Sequence, residues 1–322
     1  MELSICTDVF GKIPFTEMLD KVKAYGINAI EMTTGGWGGC FFVPSAEELI
    51  KSPAKLQAFK NEIDKRGLKI SALNCSGNPL VNNPMGKTHS KTIHDTAVLA
   101  GLLGVKTIVT MSGLPEGAPG DTTPNWFTTT VSWPEYDGRL YMADSIKYQW
   151  EVAAKWWKEY AHFAKENGVE KIAIEEFPCQ LVNNVRNLNK LLEVVGPEAA
   201  EVIGMNLDPS HLMIQGADPI AAARALGDKI YYIHGKDARI ERGLVDIDGL
   251  TETLPVSETA KRTWNYVAVG CGKDLQWWKE FFSVAHMMGY NGYISLEMED
   301  LTMTVDAGLR TSIDALNQTI SK

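Results

Sequence analysis

Eight times along this chain of 322 residues, a short run rich in Ile, Val, Ala or Tyr is followed by a segment with apolar residues at helical spacing. The strand candidates fall at residues 3–7, 29–32, 69–73, 106–111, 172–174, 202–207, 230–233 and 293–296. The helical candidates fall at 15–25, 46–65 (with Pro53 interrupting), 89–103, 145–167, 188–195, 219–226, 275–288 and 305–316. Gly104 and Gly168 stand just past two of these helices, where glycine commonly closes the last turn, and Pro219 falls in a first turn, where its missing N–H is harmless. Strands that read as near-continuous apolar runs between helices are buried parallel strands. Eight such units in strict alternation predict an α/β fold, a (β/α)8 TIM barrel. The open doubly wound alternative rarely reaches eight parallel strands, and Gly35-Gly36-Trp37-Gly38-Gly39 lacks the spacing of a dinucleotide fingerprint.

The length suits one barrel of roughly 250 residues with insertions, so residues 1–322 are expected to form a single domain. Two connections exceed ordinary loops. Residues 113–143, after strand four, contain Trp126, Trp133 and Pro134; residues 238–272, after strand seven, contain Arg239, Trp264 and Tyr266. Both follow strands and so belong to the face where a barrel keeps its chemistry.

Other classes are disfavoured by simpler features. The start, Met-Glu-Leu-Ser-Ile-Cys-Thr-Asp8, lacks the basic and apolar regions of a signal peptide. No run approaches the 18 apolar residues of a spanning helix, so a cytoplasmic protein with no membrane partner is expected. Cys6, Cys40, Cys75, Cys179 and Cys271 are scattered and odd in number, which argues for buried free thiols over a disulfide framework or a zinc site. A net charge of −9 opposes nucleic-acid binding. His89, His94, His162 and His286 fall in helical patterns and read as packing or surface residues.

Four strands end in metal-competent residues: Ile-Ala-Ile-Glu175, Asn-Leu-Asp208-Pro-Ser-His211, Tyr-Ile-His234-Gly-Lys236-Asp237 and Ile-Ser-Leu-Glu297. Neighbouring strand ends can converge above a barrel, and three carboxylates with one imidazole suit a divalent cation, Mn²⁺ foremost, with Mg²⁺, Co²⁺ or Zn²⁺ as other occupants. Glu175, Asp208, His234 and Glu297 are therefore the expected ligands. Glu176 directly follows Glu175 and faces the other side of the strand. A cation there would polarise a carbonyl and stabilise the enediolate formed when the adjacent proton leaves. Glu175 and Glu297 are the candidate bases, His211 a candidate proton carrier and substrate contact, and Lys236 and Arg239 candidates to neutralise a phosphate or enolate oxygen.

The segments Leu207-Asp208-Pro-Ser-His211, His234-Gly-Lys236-Asp237-Ala-Arg239 and Gly-Tyr-Asn-Gly-Tyr-Ile-Ser-Leu-Glu297-Met-Glu299-Asp300 resemble those of the sugar phosphate isomerase/epimerase family, the xylose-isomerase-like barrels. The resemblance extends over nearly the whole chain, including Ala72-Leu-Asn74-Cys-Ser-Gly-Asn78 and the Ser132-Trp133-Pro134 insert. It implies a Glu/Asp/His/Glu site for Mn²⁺ or a similar ion on the four residues above. It also implies substrate contact at His211; Asn74 and Trp133 are further candidate substrate contacts, the insert aromatics serving either to stack on a sugar ring or to anchor the loops to the barrel rim. Relatives commonly carry histidine at the position of Ser76. The chain also resembles the metal-bearing subunit of C-glycoside deglycosidases, in which a histidine of the insert takes part; residues 113–145 hold none, leaving Tyr136 or Tyr141 for that part.

The expected activity is thus a metal-dependent isomerase or epimerase acting on a small-molecule sugar through an enediolate. The alternative is a lyase expelling the aglycone of a 3-oxo-glycoside. An AP endonuclease needs a DNA groove and about three metals, and a metal-free binding subunit is a further reading. A homo-oligomer or a complex with a small second subunit is the expected assembly, with the pairs Trp156-Trp157 and Trp277-Trp278 serving either an interface or helix-to-barrel packing.

Overall fold

The computed structural model describes residues 1–39, 44–128 and 141–321. Eight parallel strands close into a barrel: β1 (Glu2–Cys6), β2 (Ala29–Thr33), β3 (Lys69–Asn74), β4 (Thr107–Met111), β5 (Lys171–Glu175), β6 (Ile203–Leu207), β7 (Ile230–Gly235) and, after a hairpin, β10 (Tyr293–Leu296). The ring runs β1-β10-β7-β6-β5-β4-β3-β2, so each barrel strand lies beside its successor in sequence. The helices are α1 (Phe15–Ala24), α2 (Ala46–Lys51), α3 (Pro53–Asp64), α4 (Pro84–Leu103), α5 (Tyr141–Glu166), α6 (Val185–Val195), α7 (Pro197–Ala200), α8 (Pro209–Met213), α9 (Pro219–Leu226), α10 (Val245–Asp248), α11 (Leu275–Met287) and α12 (Val305–Thr319).

Alternation along each strand sorts the residues into two sets. On β5, Ile172 and Ile174 join the large apolar core between barrel and helices, while Ala173 packs with Ala72, Val109 and Tyr232 in a separate small cluster. One large Tyr232 among small neighbours fills the barrel's waist, and its hydroxyl is 2.7 Å from Ser71 Oγ, itself 2.7 Å from Ser4 Oγ. Moving two residues up from Ala173, Asn206, Tyr232 and Ser295 reaches Glu175, Asp208, His234 and Glu297. The pleat therefore turns all four of these inward at the C-terminal rim.

The outer shell departs from the sequence expectation in identifiable places. The expected helix 46–65 is two helices, because Ser52 ends one and caps the next, accepting from Lys55 N with Pro53 at the first position. Helix α4 starts five residues before the expected 89, since Asn83 caps it by accepting from Gly86 N; both are local cap effects. The connection after β7 contains an antiparallel pair, β8 (Asp237–Ile240) with β9 (Trp264–Val267). Trp157 and Trp278 are fully buried, and Trp156 and Trp277 pack half-buried on the same core. Both pairs serve the barrel wall. Cys6 and Cys75 are buried, whereas Cys179 and Cys271 are exposed, which corrects the expectation for those two; Cys40 lies outside the described residues. Among the described residues no helix is long and apolar enough to cross a membrane.

Candidate metal centre and its cavity

The strand ends of β5, β6, β7 and β10 bring one donor atom each from Glu175, Asp208, His234 and Glu297 to within 4.8 Å of one another. His234 Nδ1 is the hub, 3.2 Å from Glu175 Oε1, 3.2 Å from Glu297 Oε2 and 3.7 Å from Asp208 Oδ2. Asp208 caps α8: its Oδ1 accepts from Ser210 N at 2.8 Å and from Ser210 Oγ at 2.7 Å. That fixes the carboxylate and leaves Oδ2 buried with no hydrogen bond among the described residues. Its nearest neighbours of possible positive charge are His211 Nε2 at 3.3 Å and His234 Nδ1 at 3.7 Å, and three carboxylates gathered in a buried site are costly without countercharge. Three oxygens and one imidazole nitrogen fit a hard-to-borderline divalent cation. The residues present fit such an ion.

A second layer orients these donors. His234 Nε2 faces Glu31, 3.2 Å and 3.1 Å from its two oxygens, and Asn74 Nδ2 donates to Glu31 Oε1 at 2.7 Å. The arrangement is that of a ligating histidine whose second nitrogen is held by a carboxylate. Glu176, one residue past the end of β5, accepts from Asp208 N at 3.1 Å and 3.4 Å. Burial pushes the Glu176 carboxyl well above the usual range, helped by the charge of Asp208.

Charges within the cluster offset burial. Burial raises Glu175, yet the charge of His234 and the hydrogen bond to His211 hold it well below the usual carboxylate range. Burial likewise opposes ionisation of Glu297, but Lys236 and His234 bring it to about 2. Burial lowers His234, but the negative charges of Glu31, Glu175 and Glu297 outweigh it and hold the imidazole well above its ordinary value.

Around this centre the remaining candidates divide. His211 is buried, with Nε2 3.1 Å from Glu175 Oε1 and Nδ1 2.9 Å from Tyr266 Oη. A Tyr266 O–H donating to Nδ1 leaves the His211 proton on Nε2, directed at Glu175. Lys236 Nζ sits 3.0 Å from Glu297 and 2.7 Å from Glu299, over the Tyr266 ring at 4.4 Å. Arg239 points elsewhere: β8 carries it away from the cavity, and Glu241 holds its guanidinium at 3.0 Å and 2.8 Å. Asn74 borders the cavity with both ends engaged, its Oδ1 accepting from Ser76 N. Trp133 and Tyr136 lie outside the described residues.

Above the cluster opens a cavity of about 630 Å³, bordered by Glu175, His211, Lys236 and Glu297 on one side and by Thr33, Trp37, Ser76 and Trp126 on the other. Asp8, just past β1, also faces it; loss of solvent, then the charges of Glu297 and Glu299, push its carboxyl up to about 7. Cys179 at the cavity wall has φ 65°, an unusual conformation for a side-chain-bearing residue and one that clusters at binding sites. Gly36, also at positive φ, packs so closely that a Cβ would stand 2.2 Å from Ser76 O.

The sequence pattern gave no role to Glu31, Asp8 or Glu299, and marked Tyr266 only as an aromatic of the insert after strand seven. Glu31 carried a signal: a carboxylate inside Ala-Ile-Glu-Met-Thr, all five of whose residues are buried, needs a partner. The pairing of Tyr266 with His211 carried none, because it depends on the β8–β9 hairpin.

A family model described as a xylose isomerase-like TIM barrel matches residues 19–319. The uncharacterised protein YfiH of Bacillus subtilis strain 168 is 53% identical over 323 residues, covering 100% of each chain. Solved structures share the fold at low identity. A zinc-bound IolI protein matches at 18% identity and TM-score 0.65, covering 100% of both chains. D-psicose 3-epimerase of Clostridium cellulolyticum H10 with D-tagatose matches at 16% identity and TM-score 0.62, covering 99% of this chain and 98% of the other.

Proposed function

We propose that this chain, which belongs to the xylose isomerase-like TIM-barrel family, is a divalent-metal-dependent isomerase or epimerase of a sugar. The observation that carries the reading is the convergence of buried donors from Glu175, Asp208, His234 and Glu297, beneath a cavity bordered by both hydrogen-bonding and apolar side chains. Solved relatives of the same fold include a D-psicose 3-epimerase and an L-ribulose 3-epimerase, which accords with a carbohydrate substrate.

Glu175, Asp208, His234 and Glu297 would hold the ion. When bound, it supplies positive charge to a substrate carbonyl oxygen and makes the neighbouring C–H more acidic. The chain's own residues do the rest. Glu175 and Glu297 each stand 3.2 Å from His234 Nδ1, reached from strands on either flank of β7 in the ring, and are both held ionised. Each can accept a proton from carbon, and a proton removed by one and returned by the other inverts the centre. His211, oriented by Tyr266, donates through Nε2 to an oxygen at the Glu175 side of the cavity. Lys236 places its ammonium beside Glu297, where it favours the carboxylate between turnovers. The cavity walls displace water from the reacting carbons.

The test is incubation of Mn²⁺-loaded protein in D₂O with free ketohexoses and, separately, with 3-oxo-glycosides. Deuterium entering the carbon next to the ketose carbonyl is the expected result. Release of aglycone from the 3-oxo-glycoside with no exchange into any ketose would instead show elimination, and neither outcome in metal-replete protein would remove the enolisation reading.

A further inference from the structure

In a closed (β/α)8 barrel the loops after the seventh and eighth strands are a common place for phosphate, which is held there by backbone N–H groups and nearby cations. Here those strands are β7 and β10, and the chain's own carboxylates take the donors that follow them. Asp237 accepts from Gly270 N, Gly272 N and Lys273 N, each at 3.0 Å. Asp300 accepts from Ala268 N at 2.9 Å and from Thr302 N at 2.7 Å. Both carboxylates are buried, so an anion entering the cavity meets neither set of N–H groups free.

The basic side chains of the same region are taken too. Arg239 pairs with Glu241, and Arg262 donates to the backbone carbonyls of Leu254 and Trp264. Among the described residues Lys236 is the only Lys or Arg that borders the cavity. Its Nζ stands 3.0 Å from Glu297 Oε2 and 2.7 Å from Glu299 Oε2. With a cation on Glu297, Glu299 remains the partner of that ammonium. Glu299 is the open member of the pair, its side chain 43% exposed against 3% for Lys236.

The balance of charge decides which substrates the cavity accepts. A divalent ion would add two positive charges, fewer than the three carboxylates of Glu175, Asp208 and Glu297 that would hold it. Asp8 and Glu299 add further carboxyl groups at the wall. A phosphate monoester carries about −1.5 to −2 charge at pH 7 and needs free cations or N–H groups. A sugar hydroxyl has no such need, because it donates to a carboxylate.

We propose that the substrate is an uncharged, unphosphorylated sugar, and that Glu299 is a specificity-determining residue which refuses phosphate by holding the Lys236 ammonium. Without the Glu299 charge, Lys236 is free to turn into the cavity and meet an anion. The first half rests on the sugar reading of the metal centre, and the second does not.

The test compares four Mn²⁺-saturated proteins by calorimetry: the parent, Glu299→Gln, Glu299→Gln/Lys236→Gln, and Glu193→Gln. The last makes the same change of net charge at a side chain 70% exposed on α6. The probes are inorganic phosphate, D-fructose and D-tagatose with their 6-phosphates. The ion's own attraction for phosphate is common to all four proteins, so differences among them read Lys236. Glu299→Gln is expected to bind phosphate about tenfold or more tightly than the parent, a gain that shrinks as NaCl rises from about 50 to about 500 mM. The double variant and Glu193→Gln show no such gain. The parent binds a free sugar about tenfold or more tightly than its phosphate ester, and Glu299→Gln narrows that ratio. Unchanged phosphate affinity in Glu299→Gln, or a gain that persists without Lys236 or appears equally in Glu193→Gln, overturns the role of Glu299. A parent that prefers the ester overturns the uncharged substrate. Phosphate gain with neither sugar bound would discard the sugar and keep the role of Glu299, whereas deuterium exchange into a free ketose with no phosphate gain would do the reverse.

Discussion

His234 and Glu31 face each other inside the barrel, imidazole Nε2 to carboxylate oxygen at 3.1 Å, although 203 residues separate them in sequence. The other nitrogen, Nδ1, is the one turned to Glu175, Asp208 and Glu297. Glu31 thus fixes which nitrogen is offered to a cation and makes it more basic.

Glu31→Gln is accordingly expected to weaken Mn²⁺ binding by about 10–100-fold, the range typical of losing such a support, with the barrel intact. Competition against a fluorescent chelator measures the affinity, and the circular dichroism spectrum checks the fold. Unchanged affinity would show that His234 is oriented without Glu31.

Asp208→Asn removes the carboxylate's charge while Asn can still cap α8. A metal at 100 times its Kd stabilises the folded parent by about 2.7 kcal/mol. The melting temperature of the parent should therefore rise on adding Mn²⁺ and that of Asp208→Asn should not. Equal rises in both would place the ion elsewhere.

The pH dependence follows from His234. Its folded pKa is raised above 6.5 by Glu31, Glu175 and Glu297 against the effect of burial, so the metal-free site carries that proton at neutral pH. A cation must displace it, whereas Glu175 and Glu297 are already ionised. Mn²⁺ affinity should climb about tenfold per pH unit between pH 6 and 7.5, with about one proton released. Calorimetry in buffers of different ionisation enthalpy counts that proton. In metal-free protein the raised value means that stability from this histidine is full below pH 6.5 and fades as pH rises through the folded pKa.

Tyr266→Phe removes the hydroxyl 2.9 Å from His211 Nδ1 and none of the metal donors. Turnover should drop about tenfold or more, in line with a misplaced acid–base group, while Mn²⁺ content stays that of the parent. A pH–rate profile separates a positioning effect, which changes the shape of the profile, from a lost packing contact, which lowers all rates equally.

Asp237 joins the end of β7 to the following loop by accepting from four backbone donors, Ala238, Gly270, Gly272 and Lys273. Asp237→Ala leaves these donors unsatisfied and is expected to destabilise the fold by about 3–5 kcal/mol. Urea unfolding would show a lowered midpoint at an unchanged m-value.

The alternation of strand and helix, the inward phase of each strand and the donor types at four rims are properties of short segments, so the sequence alone determined the barrel and the convergence of Glu175, Asp208, His234 and Glu297. Period-two alternation also separated Glu175 from Glu176, since adjacent residues on a strand face opposite ways. Caps set the outer helices, and Ser52 and Asn83 shifted their boundaries because a side-chain hydrogen bond to the first turn outweighs a weak apolar pattern. Only the tertiary structure decided the pairs that form across the ring or between the barrel and an insert. Glu31 meets His234 because closure brings β2 opposite the rim of β6 and β7. Tyr266 reaches His211, and Arg239 turns away to Glu241, because β8 and β9 pair as a hairpin over the rim. No periodicity encodes those contacts: they depend on where the chain returns after tens or hundreds of residues, which ring closure and hairpin register fix in space and local sequence does not.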